Sequence, residues 1–243
     1  MNSKRALVTG GSRGIGRVIV KQLIEEGYFV NFTFLNSEKE AKSLETEHPN
    51  RCQGDKVNGC SPYEVNEYLK TICDENNPIT VLINNAGITR DSLVKDSDWV
   101  DFKETLDTNL GGCFNFCRSI LPYMIKARKG DIINISSLAS DNVRIGNAFY
   151  GTSKIAINRF SENLALEMAR FNIAVNVIAP GFVETDLIKD HLDLKTRKEL
   201  LKQIPIRRFT KSEEIAEAVI LLLSRKPLLI GATLPVGGGG HLS

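Results

Sequence analysis

The 243-residue sequence has no excess of charge of one sign: 31 Lys and Arg stand against 29 Asp and Glu, a net of +2. Nothing in that balance calls for a nucleic acid or a membrane surface as partner. Basic residues gather only locally, at Lys126, Arg128 and Lys129 and again at Arg207 and Arg208. Such short clusters read first as solvated helix ends. No apolar run nears the roughly 20 residues that cross a membrane as a helix. The longest, AVILLL at 218–223, reads as the buried flank of a helix. After Lys4 and Arg5 the apolar run from Ala6 to Val8 is too short for a signal peptide. The five cysteines, Cys52, Cys60, Cys73, Cys113 and Cys117, include no C-x-x-C pair and no Cys/His ligand spacing. That argues against a disulfide framework and a metal site, and for reduced thiols in a cytoplasmic protein. No internal repeat, low-complexity stretch or linker interrupts the chain.

What is present is a core. Hydrophobic residues make up 42% of the sequence, which suits one α/β domain spanning 1–243. Short apolar strands alternate with amphipathic helices. RALVTG (5–10), YFVNFTF (28–34), a stretch ending near Val57, ITVLINN (79–85), DIINISS (131–137), IAVNVIAP (173–180) and a segment near 232–236 read as strands. Helices are expected over 14–27, 37–47, about 62–75, 98–129 with a break near Asn109, 150–170 and 212–224. Thr210 and Glu213 have the spacing of a capping box before the last of these. Continuous apolar strands separated by helices imply a parallel, doubly wound sheet covered by helices on both faces. Ligands of such sheets bind beyond the carboxyl ends of the strands, and the polar residues of interest fall there.

The first strand runs into TGGSRGIG, residues 9–16. Small residues let backbone N–H groups approach a pyrophosphate at the start of the next helix. The spacing is G-x-x-x-G-x-G, and its place between a first strand and a helix makes it a dinucleotide-binding candidate. At the end of the second strand, where an NAD enzyme usually carries an acid for the ribose hydroxyl, Asn36 and Ser37 stand instead, and Arg13 lies inside the glycine loop. A missing carboxylate and a nearby guanidinium favour the 2′-phosphate of NADP. Glu38 would count against this only if the strand ended two residues later. The fourth strand ends in NNAG (84–87), the fifth in Ser136 and Ser137, the sixth in PGFVET (180–185). Tyr150 and Lys154 lie four apart in YGTSK, and so share one helical face. They read either as an incidental surface pair or as a phenol whose pKa is lowered by a neighbouring cation for acid–base work.

TGGSRGIG, NNAG, Asn109 in DTNLGG, INISS, YGTSK and APGFVETD, in this order, resemble the short-chain dehydrogenase/reductase family over nearly the whole chain. Total length, TGGSRGIGR and NIAVNVIAPGFVETD are most similar to the branch of 3-oxoacyl-[acyl-carrier-protein] reductases. The resemblance implies a Rossmann-like sheet of about seven strands in the order 3-2-1-4-5-6-7. It implies Tyr150 as the general acid that protonates the carbonyl oxygen, with Lys154 lowering its pKa and holding the nicotinamide ribose. Ser137 would polarise the substrate carbonyl, and Asn109 would hold a water linking Lys154 to solvent. Gly10, Ser12, Arg13, Gly14, Ile15 and Gly16 would line the phosphate and adenosine end of NADP. Asn36 and Ser37 would meet the 2′-phosphate, and Asn58 or its rival Asp55 the adenine. Asn85, Ala86 and Gly87 would pack on the ribose, while Pro180, Gly181, Val183 and Thr185 would hold the carboxamide. Ser136 should point to the other side of its strand.

The expected function is NADPH-dependent reduction of a 3-oxoacyl thioester on acyl carrier protein, in fatty-acid or related polyketide or lipid synthesis. Arg128 and Lys129 would be part of a docking patch for the acidic carrier, with Phe171 where a second base is expected and Arg170 beside it. The alternatives are a dehydrogenase of a free small alcohol or ketone, and a catalytically silent dinucleotide-binding module. The first would differ in the segment 184–203; the second is opposed by the intact set Asn109, Ser137, Tyr150 and Lys154. A homotetramer is implied, built on helices 99–128 and 150–170. The glycines of VGGGG (236–240) suggest a looser tail than the family's. Asn142, Val143 and Arg144 fall on the substrate side, with no substrate legible in them.

Overall fold

A computed structural model describes residues 4–73, 77–184, 193–224 and 229–242. Its strands are β1 (Lys4–Val8), β2 (Tyr28–Phe34), β3 (Cys52–Lys56), β4 (Val81–Asn84), β5 (Gly130–Ile135), β6 (Ile173–Pro180) and β7 (Thr233–Val236). They form one sheet in the order β3-β2-β1-β4-β5-β6-β7, every pairing parallel, as the family resemblance implied. The order reverses at β1, which is bonded to β2 on one side and β4 on the other. There the connections leave in opposite directions and open a crevice at the carboxyl ends.

Both faces of the central strands are buried, which explains why those strands are largely apolar at successive positions. Ala6 and Val8 of β1 face one core with Ile19, Leu23 and Val219, while Leu7 between them faces a second core with Leu69, Ile120 and Met124. β4 divides in the same way, Val81 and Ile83 to the first core and Leu82 to the second. The period of two and the double burial together demand the continuous apolar run.

Helices α1 (Gly14–Glu25), α2 (Glu38–Glu47) and α3 (Pro62–Ile72) fall where the sequence placed them. The helix expected over 98–129 is not broken at Asn109. It runs as α4 (Trp99–Leu106), a widened π-turn (Asp107–Gly111) and α5 (Gly112–Ala127). α6 (Ala148–Met168) begins two residues before the expected start, so Tyr150 stands inside its first turn. The segment 184–203 contains a helix that the sequence did not indicate: α7 (Leu194–Gln203), capped by Asp193, whose carboxylate accepts from Lys195 N at 2.8 Å and Thr196 N at 2.9 Å. α8 (Ser212–Ser224) carries a cap shifted by one residue from the expected pair. Glu214, not Glu213, accepts the N–H of Lys211 at 2.8 Å, while Thr210 is buried in a bridge to Val183.

The glycine tail is not loose. Gly238 has φ +57°, and a Cβ there would lie 2.3 Å from Ile206 Cγ1. Gly237 packs flat against Leu138 and Gly181, and Gly240 O accepts from Asn142 Nδ2 at 2.6 Å. The glycines serve contact with the chain's own loops, which is why composition alone misread them.

Candidate active site

The glycine loop is sewn to the end of β4. Thr9 Oγ1 accepts from Asn85 N and Ala86 N, both at 3.0 Å, and Asn85 Nδ2 donates to Thr9 O at 3.0 Å and Gly10 O at 3.1 Å. Asn85, expected beside a ribose, thus braces the loop with its amide. Gly16 permits the close turn: a Cβ there would sit 2.2 Å from Gly10 O. Gly14, at φ +54°, has open space where a side chain would be, directly at the start of α1. A cradle of backbone over a helix N-terminus with nothing filling it fits the pyrophosphate of a dinucleotide. Ser12 is buried, Ile15 packs partly on the core, and Arg13 is exposed at the N-cap of α1.

β2 ends at Phe34, so Asn36 and Ser37 stand at its mouth. Glu38 opens α2 and pairs with Lys42 at 2.6 Å. Asn58 lies past the end of β3 with its Oδ1 on Cys60 N at 3.0 Å. Asp55, its rival, is inside β3 beside buried Tyr68, whose phenol pKa is raised well above normal by burial first and by Asp55 second.

The expected chemical groups come together at the ends of β4, β5 and β6. Ser137 follows β5; its Oγ accepts from Ala139 N at 3.1 Å and keeps its own proton to donate. Ser136 is buried, and its hydroxyl donates to Lys154 O at 3.1 Å. Lys154 is 4% exposed. Its Nζ donates to Ile135 O at 2.9 Å and lies 5.4 Å from the centre of the Tyr150 ring. Gly87 leaves room for this: a Cβ there would approach Asn109 Oδ1 at 3.1 Å and Lys154 Nζ at 3.6 Å. Asn109, in the π-turn, has its side-chain amide clamped. Oδ1 accepts from Ile88 N at 2.8 Å, and Nδ2 donates to Ile88 O and Ser153 Oγ, each at 2.9 Å. A π-turn in mid-helix frequently marks a functional position.

The wall on the sixth-strand side is Pro180, Gly181 and Val183. Gly181 N donates to Val236 O at 2.9 Å, and Val183 is buried. Thr185 lies outside the described residues. Across the mouth runs a clasp the sequence did not disclose. Asp91 accepts from Arg144 Nη2 at 3.1 Å and from Asn147 Nδ2 at 2.8 Å, and the Arg144 guanidinium lies 5.5 Å from the centre of the Phe182 ring. Three loops, those after β4, β5 and β6, are held together by one arginine. The contact pairs residues 53 apart in sequence, so no local pattern carries it.

Cys52, Cys60, Cys73, Cys113 and Cys117 are free thiols. Cys117 is pushed well up by its hydrogen bond with Cys113 and then by burial, so it stays neutral. Among the described residues no group of three or more His, Cys, Asp or Glu could hold a metal ion.

A glycine cradle at the switch point, with a serine, a tyrosine and a buried lysine converging on the neighbouring strand ends, defines a class: the chain belongs to the short-chain dehydrogenase family. The family model described as short chain dehydrogenase matches residues 4–195. The protein is accordingly an oxidoreductase of CH–OH and C=O groups. Particular relatives are also clear. One is the 3-oxoacyl-[acyl-carrier-protein] reductase FabG of Staphylococcus aureus (strain Mu50), 37% identical over 247 residues, covering 99% of this chain and 99% of that protein. FabG of Vibrio cholerae serotype O1 is 38% identical over 246 residues, covering 100% and 99%. A solved structure described as ElxO with NADP bound superposes with a TM-score of 0.92 at 25% identity, covering 99% of each chain.

Proposed function

We propose that the protein reduces 3-oxoacyl thioesters on acyl carrier protein to the 3-hydroxyacyl form with NADPH, in fatty-acid or related polyketide or lipid synthesis. The observation that carries this reading is the buried Lys154 ammonium, fixed to Ile135 O and set against the Tyr150 ring, with Ser137 at the end of the same strand, β5. The relationship to FabG supports the substrate class.

Gly10, Ser12, Arg13, Gly14, Ile15 and Gly16 would hold the dinucleotide phosphates. Arg13, Asn36 and Ser37 would meet the 2′-phosphate, where no carboxylate competes. Asn58 or Asp55 would lie by the adenine, Asn85, Ala86 and Gly87 by the ribose, and Pro180, Gly181 and Val183 by the carboxamide. The chemistry that the cofactor supplies there when bound is a hydride for the carbonyl carbon. Ser137 donates its free proton to the carbonyl oxygen and fixes its position. Tyr150 gives that oxygen its phenolic proton as negative charge develops on it. The Lys154 charge lies beside the phenolate that remains until solvent returns the proton. Asn109 would hold a water that links Lys154 to solvent, from which that proton arrives.

The carrier would be met by an exposed basic patch. Arg128 and Asn172 both adopt the left-handed conformation, at φ 49° and 60°, and tie two loops together. Arg128 Nη2 donates to Arg170 O at 3.2 Å, and Asn172 Nδ2 to Arg128 O at 3.1 Å. The Arg170 guanidinium lies 4.7 Å from the centre of the Phe171 ring. Arg170 therefore stands in for the base expected at Phe171. Outer faces of α5 and α6 leave Phe114 and Leu166 exposed, the latter 82%, which supports a homotetramer built on these helices. Among the described residues no helix is long and apolar enough to cross a membrane, consistent with the proposed cytoplasmic setting.

The test is NADPH consumption with a 3-oxoacyl group on acyl carrier protein and with the same group on a small thiol, NADH serving as control. Fast turnover confined to the carrier-bound form is expected. Equal or faster turnover of the free thioester, or none of either, rejects the carrier reading in favour of a free ketone or alcohol.

A further inference from the structure

Ser153 has no part in the chemistry just described, yet it is fully buried and its hydroxyl is fully engaged. Oγ donates to Tyr150 O at 2.7 Å and accepts from Asn109 Nδ2 at 2.9 Å. The polarity of this bridge is fixed from outside. Asn109 Oδ1 is taken by the N–H of Ile88, so the amide nitrogen must face Ser153. A hydroxyl has one proton; receiving a bond from Asn109, Ser153 can only send its proton to the Tyr150 carbonyl. The result is a directed chain from the Ile88 loop through the π-turn to the backbone of Tyr150.

We propose that Ser153 is a positioning residue for carbonyl reduction, holding the Tyr150 phenol and the Asn109 turn in one relative placement. Packing alone would not require it. An alanine would fill most of the same space, and Asn109 would keep its two bonds to Ile88. What alanine removes is the only direct side-chain link between the π-turn and the tyrosine's own backbone among the described contacts. Small displacements of a proton donor cost rate rather than binding, and one neutral hydrogen bond corresponds to about three- to tenfold.

This rests on Tyr150 being the proton donor, so two readouts are needed. In steady state with NADPH and a 3-oxoacyl thioester, Ser153→Ala should lower kcat about three- to tenfold, leave NADPH affinity unchanged, and shift the pH profile of kcat. Ser153→Thr, which keeps the hydroxyl, should recover the rate. Hydrogen exchange, which needs no turnover, should show faster exchange at 107–111 and 150–154 in Ser153→Ala at an unchanged thermal midpoint. Wild-type kcat and pH profile in the alanine variant would overturn the proposal. So would unchanged exchange, or a threonine variant as impaired as the alanine one. If Ser153→Ala does not fold, Ser153→Cys, a weak donor of similar size, is read in the same way. A wild type that binds NADPH but turns over no thioester would count against the proposed function, and the exchange comparison would still decide the role of Ser153.

Discussion

Tyr150→Phe takes one oxygen from the site and leaves the ring on which the Lys154 ammonium rests. Turnover should fall by about 10²- to 10⁴-fold, the worth of a positioned general acid, while titration by fluorescence should show NADPH binding intact. A phenylalanine variant retaining most of its rate would remove Tyr150 from the mechanism. At this scale the sequence was informative wherever one helix or one loop carries the pattern. Tyr150 and Lys154 are a single turn apart, and the glycines crowd into one short run. It was silent wherever a contact closes across the fold. Ser153 sits inside the same quoted pentapeptide as the tyrosine and lysine, but its partner is 44 residues away. Gly87, expected beside the ribose, is also the gap that Asn109 and Lys154 need.

Arg144→Ala should loosen the clasp that joins the loops after β4, β5 and β6. We expect KM for the carbonyl substrate to rise several-fold, with NADPH affinity unchanged, because the arginine touches the mouth and not the glycine cradle. A partly exposed ion pair with one ring contact is worth about 1–2 kcal/mol. Steady-state kinetics check this, an unchanged KM counting against it. The start of α8 supplies a pH-dependent test. Arg208 and the Lys211 N–H hold the Glu214 carboxyl at about 2, below its ordinary 4.5. A depressed carboxylate stabilises the fold above its ordinary value, and the gain is lost as pH falls from 4.5 toward 2. Glu214→Gln should therefore lower the thermal midpoint near neutrality and converge on wild type in acid. Partial exposure keeps the difference under about 1 kcal/mol. Calorimetry at several pH values would show it; a gap that persisted at the acid end would reject the assignment. The expected cap at Thr210 and Glu213 shows the limit of such reading. Two glutamates stand side by side, and only the strand bridge that buries Thr210 decides which one caps.

At the scale of the molecule the alternation of strand and helix was enough for a parallel, doubly wound sheet, while the order of its strands was legible only through the family resemblance. It was not enough for α7, whose mixed charges hide a weak apolar face, nor for the tail, whose glycines fit against Leu138, Pro205 and Ile206. Leu166→Glu should break the proposed assembly by placing a charge on the exposed face of α6, read by sedimentation or light scattering. A variant that remained tetrameric would move the interface elsewhere.

The basic patch and the reacting groups lie at opposite ends of the same strands. Arg128 and Lys129 precede β5, and Arg170 precedes β6, whereas Ser137 and Gly181 follow them. With about 3.3 Å per residue, the length of β6 separates the two. On the reading proposed here, a carrier seated on one subunit's patch would face that subunit's sheet from behind and deliver its cargo to a neighbour. Reduction of carrier-borne substrate would then be shared labour. Its rate per chain would rise with protein concentration as subunits find one another, while a free thioester, needing no seat, would be reduced by each chain alone.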